Sequence, residues 1–291
     1  MAARPLPAKG RVLALPFVSS FESGGLAIGL EGREDSMRIL FIGDVVSMAG
    51  CQFIREHLPG LRKSWELDFV IANGENSADG NGITPKSADH LLDSGIDCLT
   101  TGNHVFRRRE IYPYLEREEA VIRPANYNEN TPGRGYTVLE KGKYRVFVFN
   151  LMGTVYMQPL ANPFLTADEV LRHNDCPVSL LDFHAEATGE KAALAHYLDG
   201  RVTAVLGTHT HVPTADACIL PKGTGFISDA GMTGPENSIL GIRPDIAITK
   251  MRDNLPVRFE YAQTPIRMDC VLLDIDYSMG KLTKIEHLCV Q

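Results

Sequence analysis

From Arg38 onward the chain alternates short, unbroken apolar runs with stretches of helical spacing. The runs at 39–42, 69–72, 98–101, 178–183 and 202–206 each lead into Gly, Asp, Asn or His. Apolar runs without polar alternation belong to strands buried on both faces, so a sheet covered on both sides is predicted. Between the runs, residues 86–92 and 190–198 predict helices. Residues 136–150 predict a hairpin turning at Lys141-Gly142-Lys143, and 267–290 alternate and turn at Met279-Gly280, predicting closing antiparallel strands. No internal repeat, low-complexity block or linker follows Met37. The pattern predicts one α/β domain over residues 37–291, built on a mixed sheet. Residues 1–36 stand apart. Arg4, Lys9 and Arg11 precede an apolar stretch at 12–18, but no small-x-small cleavage pattern follows, and Met37 directly precedes the first strand. The segment reads as an N-terminal extension, disordered or an upstream start, rather than a secretory signal.

Composition removes several classes of function. A chain of 291 residues that is 44% hydrophobic and 22% charged can build a core and is not disordered. Its formal charge of −7 leaves no basic face for duplex nucleic acid, whose binding depends on releasing condensed counterions. No apolar run reaches the roughly 18 residues of a membrane span. The six cysteines are scattered and form no C-x-x-C pair, which predicts reduced thiols and a cytoplasmic setting. An acidic protein can still hold a small anion if a local cation, such as a metal ion, sits at the site.

Asp44, Glu75, Asn103, His184 and His209 each fall at the carboxyl end of a predicted strand, where open α/β sheets bind ligands. Any one of them alone reads as a turn or cap residue. Recurrence of carboxylate, amide and imidazole at one topological position changes that reading. In Gly207-Thr208-His209-Thr210-His211, two imidazoles two residues apart project to the same side of a strand and can approach one centre. Gly102-Asn103-His104 offers a neutral oxygen beside a His that can lie close without ligating. Gly74-Glu75-Asn76 offers a carboxylate able to bridge two cations, with an amide next to it. No Cys joins this set, and nitrogen and oxygen donors suit Fe, Mn or Zn.

The order Gly43-Asp44, Gly74-Glu75-Asn76, Gly102-Asn103-His104, His184 and Gly207-Thr208-His209-Thr210-His211 resembles the calcineurin-like metallophosphoesterases. In particular it resembles their YmdB-type bacterial branch, which has GEN in place of the usual GDxxD and lacks a His two places after the first Asp; Val46 stands there in this chain. The stretches at 82–86, 182–188 and 229–235 are similar to the same branch. The resemblance implies a four-layer α/β/β/α sandwich with two packed mixed sheets flanked by helices. It implies one metal held by Asp44, Glu75, Asn76 and His211, with Asn76 filling the place of the missing His. Glu75 would bridge to a second metal held by Asn103, His184 and His209, and His104 would act as general acid beside the leaving oxygen. Implied too are two divalent or trivalent ions per chain (iron first, manganese or zinc otherwise), self-association into a homo-oligomer, and hydrolysis of small phosphodiesters, 2′,3′-cyclic nucleotides foremost. No substrate-binding residue is assigned.

That chemistry has a physical logic. A phosphodiester is an anion and repels hydroxide; two cations about 3.5–4 Å apart neutralise the phosphoryl oxygens and acidify a shared water. The leaving alkoxide needs a proton, which His104 can give only if it is not consumed as a ligand. Arg107-Arg108-Arg109 reads as a solvated helix start more readily than as a phosphate contact. The 79–82 stretch reads as a turn before a helix starting at Thr84-Pro85. Glu186 and Thr188 are expected to orient His184. Two rival readings stand beside the phosphodiesterase: a metal-dependent amidohydrolase, whose H-x-H lies on the first strand rather than late in the chain, and a non-catalytic metal- or nucleotide-binding regulator. No G-x-G-x-x-G follows the first strand, against a dinucleotide form of the latter.

Overall fold

The computed structural model describes residues 35–291, so the extension expected over 1–36 lies, apart from its last two residues, outside the described residues. The elements run β1 (Ser36–Val45), α1 (Ser47–Ser64), β2 (Phe69–Asn73), α2 (Pro85–Asp93), β3 (Cys98–Thr100), α3 (Tyr112–Arg117), β4 (Tyr136–Lys141), β5 (Tyr144–Met152), α4 (Pro163–Leu171) and β6 (Val178–His184). They continue with α5 (Thr188–Leu198), β7 (Ala204–Thr208), β8 (Cys218–Ile219), β9 (Gly225–Ile227), β10 (Met232–Pro235), α6 (Pro244–Asp253), β11 (Ile266–Asp276) and β12 (Lys281–Val290).

The single mixed sheet expected from the apolar runs is instead two six-stranded mixed sheets, ordered β12-β11-β10-β1-β2-β3 and β4-β5-β6-β7-β9-β8. The runs were buried on both faces as predicted, but a run does not say whether a helix or another sheet covers each face. The side-chain alternation within them does. In β1, Leu40 and Ile42 pack against α1 and α2 through Ile54, Leu58 and Leu91. Ile39 and Phe41 point the other way, to Val146 and Val148 of β5 and Leu180 of β6. On the far side of β5 and β6, Phe147, Phe149 and Phe183 meet Val170 of α4 and Leu194 of α5. Three apolar interfaces separate four layers, α/β/β/α, as the family resemblance implied.

Local signals set the ends of the elements. Thr84 caps α2 through its hydroxyl, which accepts from Ser87 N–H at 3.1 Å, and Pro85 occupies the first turn. The predicted hairpin forms β4 and β5 around Gly142, and the closing strands form β11 and β12 around Gly280; both glycines have positive φ. β10 enters beside the carboxyl end of β1, pairing Asp44 with Met232, while β11 pairs directly with the rest of β1. Between Ile42 and Asp44 the β1–β2 register shifts, which re-aims Asp44 at the sheet's end. Among the described residues, no helix is long and apolar enough to cross a membrane.

Candidate metal centre

The carboxyl ends of β1, β2, β3, β6 and β7 converge on one rim, bringing all eight candidate residues together. His184 is the hub. Its Nε2 lies 3.2 Å from Glu75 Oε1, 3.0 Å from Asn103 Oδ1 and 3.1 Å from His209 Nδ1. Two donors about 2.1 Å from a common cation are about 3.0–3.4 Å apart at octahedral to tetrahedral angles, so this spacing fits one ion. Ligand atoms of Glu75, His184 and His209 all lie within 4.8 Å of one another. Beside them, His211 Nε2 is 3.6 Å from Asp44 Oδ1 and 3.2 Å from Asn76 Nδ2. His211 Nδ1 is buried with no hydrogen-bond partner. Asp44 and Glu75 are both 0% exposed, and two adjacent carboxylates taken out of water require positive charge close by.

Electrostatics within the cluster express that requirement. Burial presses the His184 imidazole down, but Glu75, then Asp44 and Asp182, override it and raise its pKa to about 9. Burial and the neighbouring His184 hold His209 down at about 4. Burial works to raise both Asp44 and Glu75, yet the imidazoles lower them, Glu75 well below the usual carboxylate range. The carboxylates thus draw positive charge toward His184 and His211 alike, with His211 also raised by Asp44 against its burial. The donor set fits a metal ion, which would supply that positive charge and leave the imidazoles neutral as ligands.

Asn76 turns Nδ2 toward Asp44 Oδ1 and Glu75 Oε1, at 3.4 and 3.1 Å, and Oδ1 toward His104 Nδ1, at 3.0 Å. Offering its oxygen to the cluster requires a half-turn of the amide and the loss of the His104 contact. His104 stands at the edge, with its backbone N–H on Glu75 Oε2 at 2.9 Å and its Nδ1 3.1 Å from Glu75 Oε1. Its Nε2 faces Asn81 Nδ2, at 3.2 Å, in a cleft of about 530 Å³ that also reaches Asn76 and His211.

Two expectations about the imidazoles are corrected. His209 and His211 do not share a face because they lie on a strand: β7 ends at Thr208, and both His have left-handed backbones, with φ of 104° and 62°. Such residues cost of order 1–3 kcal/mol each and are held by their surroundings. Asp44 Oδ2 accepts from His209 N–H at 3.0 Å, and Asp229 Oδ2 accepts from Thr210 N–H at 3.0 Å. Nor do Glu186 and Thr188 orient His184. Thr208 Oγ1 lies 2.9 Å from His184 Nδ1 and donates to Asp182 Oδ1 at 2.7 Å, whereas Glu186 reaches His209 Nε2 at 3.1 Å and Thr188 opens α5. Asp182 is buried and also accepts from Thr100 Oγ1 and Asn73 Nδ2, at 2.5 and 2.9 Å; burial raises its pKa to about 6 against the pull of His184. A lone carboxylate inside the apolar run 178–183 was the available signal for it.

The 79–82 stretch does turn the chain, but it also lines the cleft through Gly80 and Asn81. Arg108 pins that turn, donating from Nε to Asn81 O at 3.0 Å and from Nη2 to Asp79 O at 2.5 Å. Arg107 is exposed on the cleft wall, and Arg109 opens a short 3₁₀ turn. Gly102 has a steric reason: a Cβ there would run into the His184 ring and come within 2.5 Å of Glu75 Oε2.

A four-layer α/β/β/α sandwich with carboxylate, amide and imidazole donors gathered at the strand ends defines a metallophosphoesterase-type protein. The YmdB-like protein family matches residues 40–288, and the chain belongs to that family. It is 45% identical over 256 residues to the 2′,3′-cyclic-nucleotide 2′-phosphodiesterase of Bacillus subtilis, covering 87% of this chain and 97% of that one. A Thermus thermophilus crystal structure superposes with a TM-score of 0.83 at 42% identity, covering 87% and 99% of the two chains. A Mycoplasma pneumoniae phosphatase structure does so at 0.83 and 33%, covering 88% and 93%.

Proposed function

We propose that this chain is a metal-dependent phosphoric diester hydrolase acting on 2′,3′-cyclic nucleotides, with residues 37–291 as its catalytic domain. The observation that carries the reading is the convergence of Glu75, Asn103 and His209 on His184 Nε2 at 3.0–3.2 Å, beside an open cleft. The activity of the 45%-identical Bacillus subtilis relative, a 2′,3′-cyclic-nucleotide 2′-phosphodiesterase, supports the substrate class.

In this reading Asn103, His184 and His209 would hold one ion and Asp44 and His211 a second, joined by Asn76 once its amide turns, and Glu75 would serve both. When bound, the metal supplies positive charge for the phosphoryl oxygens and lowers the pKa of water. Thr208 and Asp182 fix the ring of His184, so that Nε2 is the atom presented. His104 is the general acid. Its Nδ1 lies 3.1 Å from Glu75 Oε1, leaving Nε2 toward the cleft to carry a proton to the leaving oxygen. Iron is the expected metal, with manganese or zinc the alternatives. All six cysteines are free thiols, in keeping with a cytoplasmic setting, and self-association is expected from the family.

The test is metal analysis of the purified protein paired with hydrolysis of 2′,3′-cyclic AMP before and after chelation. Metal-dependent hydrolysis is expected. Purified protein that holds metal but leaves cyclic AMP intact, while opening cyclic amides or binding nucleotide without turnover, overturns the reading.

A further inference from the structure

The cleft beside His104 has a second wall that the phosphodiester chemistry does not use. The chain between β10 and β11 folds back on itself there. Ala262 N–H donates to Gly241 O at 3.0 Å and Arg243 N–H to Glu260 O at 2.9 Å. Arg243 Nη1 also bonds Glu260 Oε2 at 2.8 Å. This small ribbon sits at the end of β1, where a Cβ on Gly241 would strike the Val46 side chain. Along its edge Leu240, Phe259 and Tyr261 line the same cleft as His104 and His211. Leu240 and Phe259 remain 45% and 55% exposed, an apolar and aromatic surface left uncovered inside a functional cleft. The cavity volume, about 530 Å³, is that of a small-molecule site rather than of a single phosphate group.

We infer that Phe259, flanked by Leu240, is the stacking platform for the nucleobase of the substrate. The inference rests on the phosphodiesterase reading and adds to it the part of the ligand that the metal centre does not touch. With the cyclic phosphate at the His104 and His211 end, the base extends along the cleft toward the ribbon. An aromatic face on that wall recovers the stacking that the base loses from water, and every base has such a face. Arg107 and Arg258 line the same cleft, are exposed and have no side-chain partner among the described residues, so cationic groups are available beside an anionic nucleotide. The wall presents ring and aliphatic surface, which predicts a preference for nucleotides over base-free diesters and little discrimination among the four bases.

The experiment compares kcat/KM of the metal-loaded protein on 2′,3′-cyclic AMP and on glycerol 1,2-cyclic phosphate, which has the same five-membered cyclic diester and no base. Phe259→Ala is expected to lower the ratio by roughly 5- to 150-fold, mostly through KM, the range of one base–aromatic stack. Phe259→Tyr should retain it. Phe259 is exposed, so melting temperatures of both variants should match the wild type. Calorimetric titration with 3′-AMP against glycerol 2-phosphate reads the same selectivity without turnover. A wild-type protein inert on both diesters sinks the phosphodiesterase reading and the platform with it. A wild-type protein active on both, with a ratio unchanged in Phe259→Ala, overturns the platform alone.

Discussion

Lys191, in the first turn of α5, donates to Asp229 Oδ2 at 2.9 Å, and the two side chains are 2% and 1% exposed. The same Asp229 oxygen accepts from Thr210 N–H, at the centre of the strained His209-Thr210-His211 bend, and Oδ1 accepts from Gly231 N–H at 3.0 Å. Lys191→Met removes the counter-charge and leaves the carboxylate buried. Breaking a buried pair from one side costs about 3–5 kcal/mol. At about 2–4 °C per kcal/mol for a domain of this size, the melting temperature should fall by roughly 6–20 °C. Asp229→Asn in the Lys191→Met background removes the stranded charge while keeping an oxygen for Thr210 N–H. The double variant should therefore recover at least half of the loss, the signature of coupling in a double-mutant cycle. The assay is chemical and thermal denaturation of all four proteins with metal chelated, followed by metal titration of each. A Lys191→Met protein melting within about 2 °C of wild type, or a double variant whose loss is the sum of the singles, would refute the argument.

Three further expectations concern the site and a fourth the thiols. His104→Ala should keep its metal content and lose turnover by about 10²–10⁴-fold; loss of metal together with rate would make His104 a ligand instead. Gly102→Ala should fold but bind metal poorly, because its methyl intrudes on His184 and Glu75; full occupancy by elemental analysis would contradict this. Thr208→Val frees the His184 ring and should weaken metal affinity about 10–100-fold in competition with a chelator. In alkylation of native protein at pH 8, the exposed Cys218 should label first and Cys289, its thiol pushed up by burial to about 11, more slowly. Cys51, buried and pushed up to about 12, should label only when the protein unfolds, as peptide mass spectrometry would show.

The strands that deliver the ligands were legible because each is an unbroken apolar run ending in a polar residue. The second sheet was legible only through the family resemblance and not in the apolar pattern, since Ile39 and Leu40 look alike in a sequence although one faces β5 and the other faces α1. The bounds of α1 were not legible because Gly50, Pro59 and Gly60 punctuate it, although its buried Ile54, Leu58 and Leu61 carry the helical spacing. β8, β9 and β10 are two to four residues long, too short for a period to register. At the site, the ligand candidates stood out by residue type. What holds them did not: Asp182 acts through Thr208, and Asp229 through the backbone of Thr210, contacts that join chain segments 26 and 19 residues apart. The cleft wall at Leu240 and Phe259 had no signal at all, because two exposed apolar residues in a loop are ordinary until the fold sets them opposite His104.

Asp44, Glu75 and Asn103 lie at or just past the strand ends of one sheet, and His184, His209 and His211 at or just past those of the other. Between the sheets lies mostly aliphatic and aromatic packing, strong but with little directional preference, and near the rim Asp182 adds hydrogen bonds across to Thr100 and Asn73. An ion gripped from both sides would be a further clasp at one end of the sandwich, helping to fix how the two leaves are aligned. Free metal at 100 times its dissociation constant would add about 2.7 kcal/mol to the folded state. Heat resistance of this protein should then track the metal supply of its surroundings, making a melting curve a gauge of how many clasps are closed.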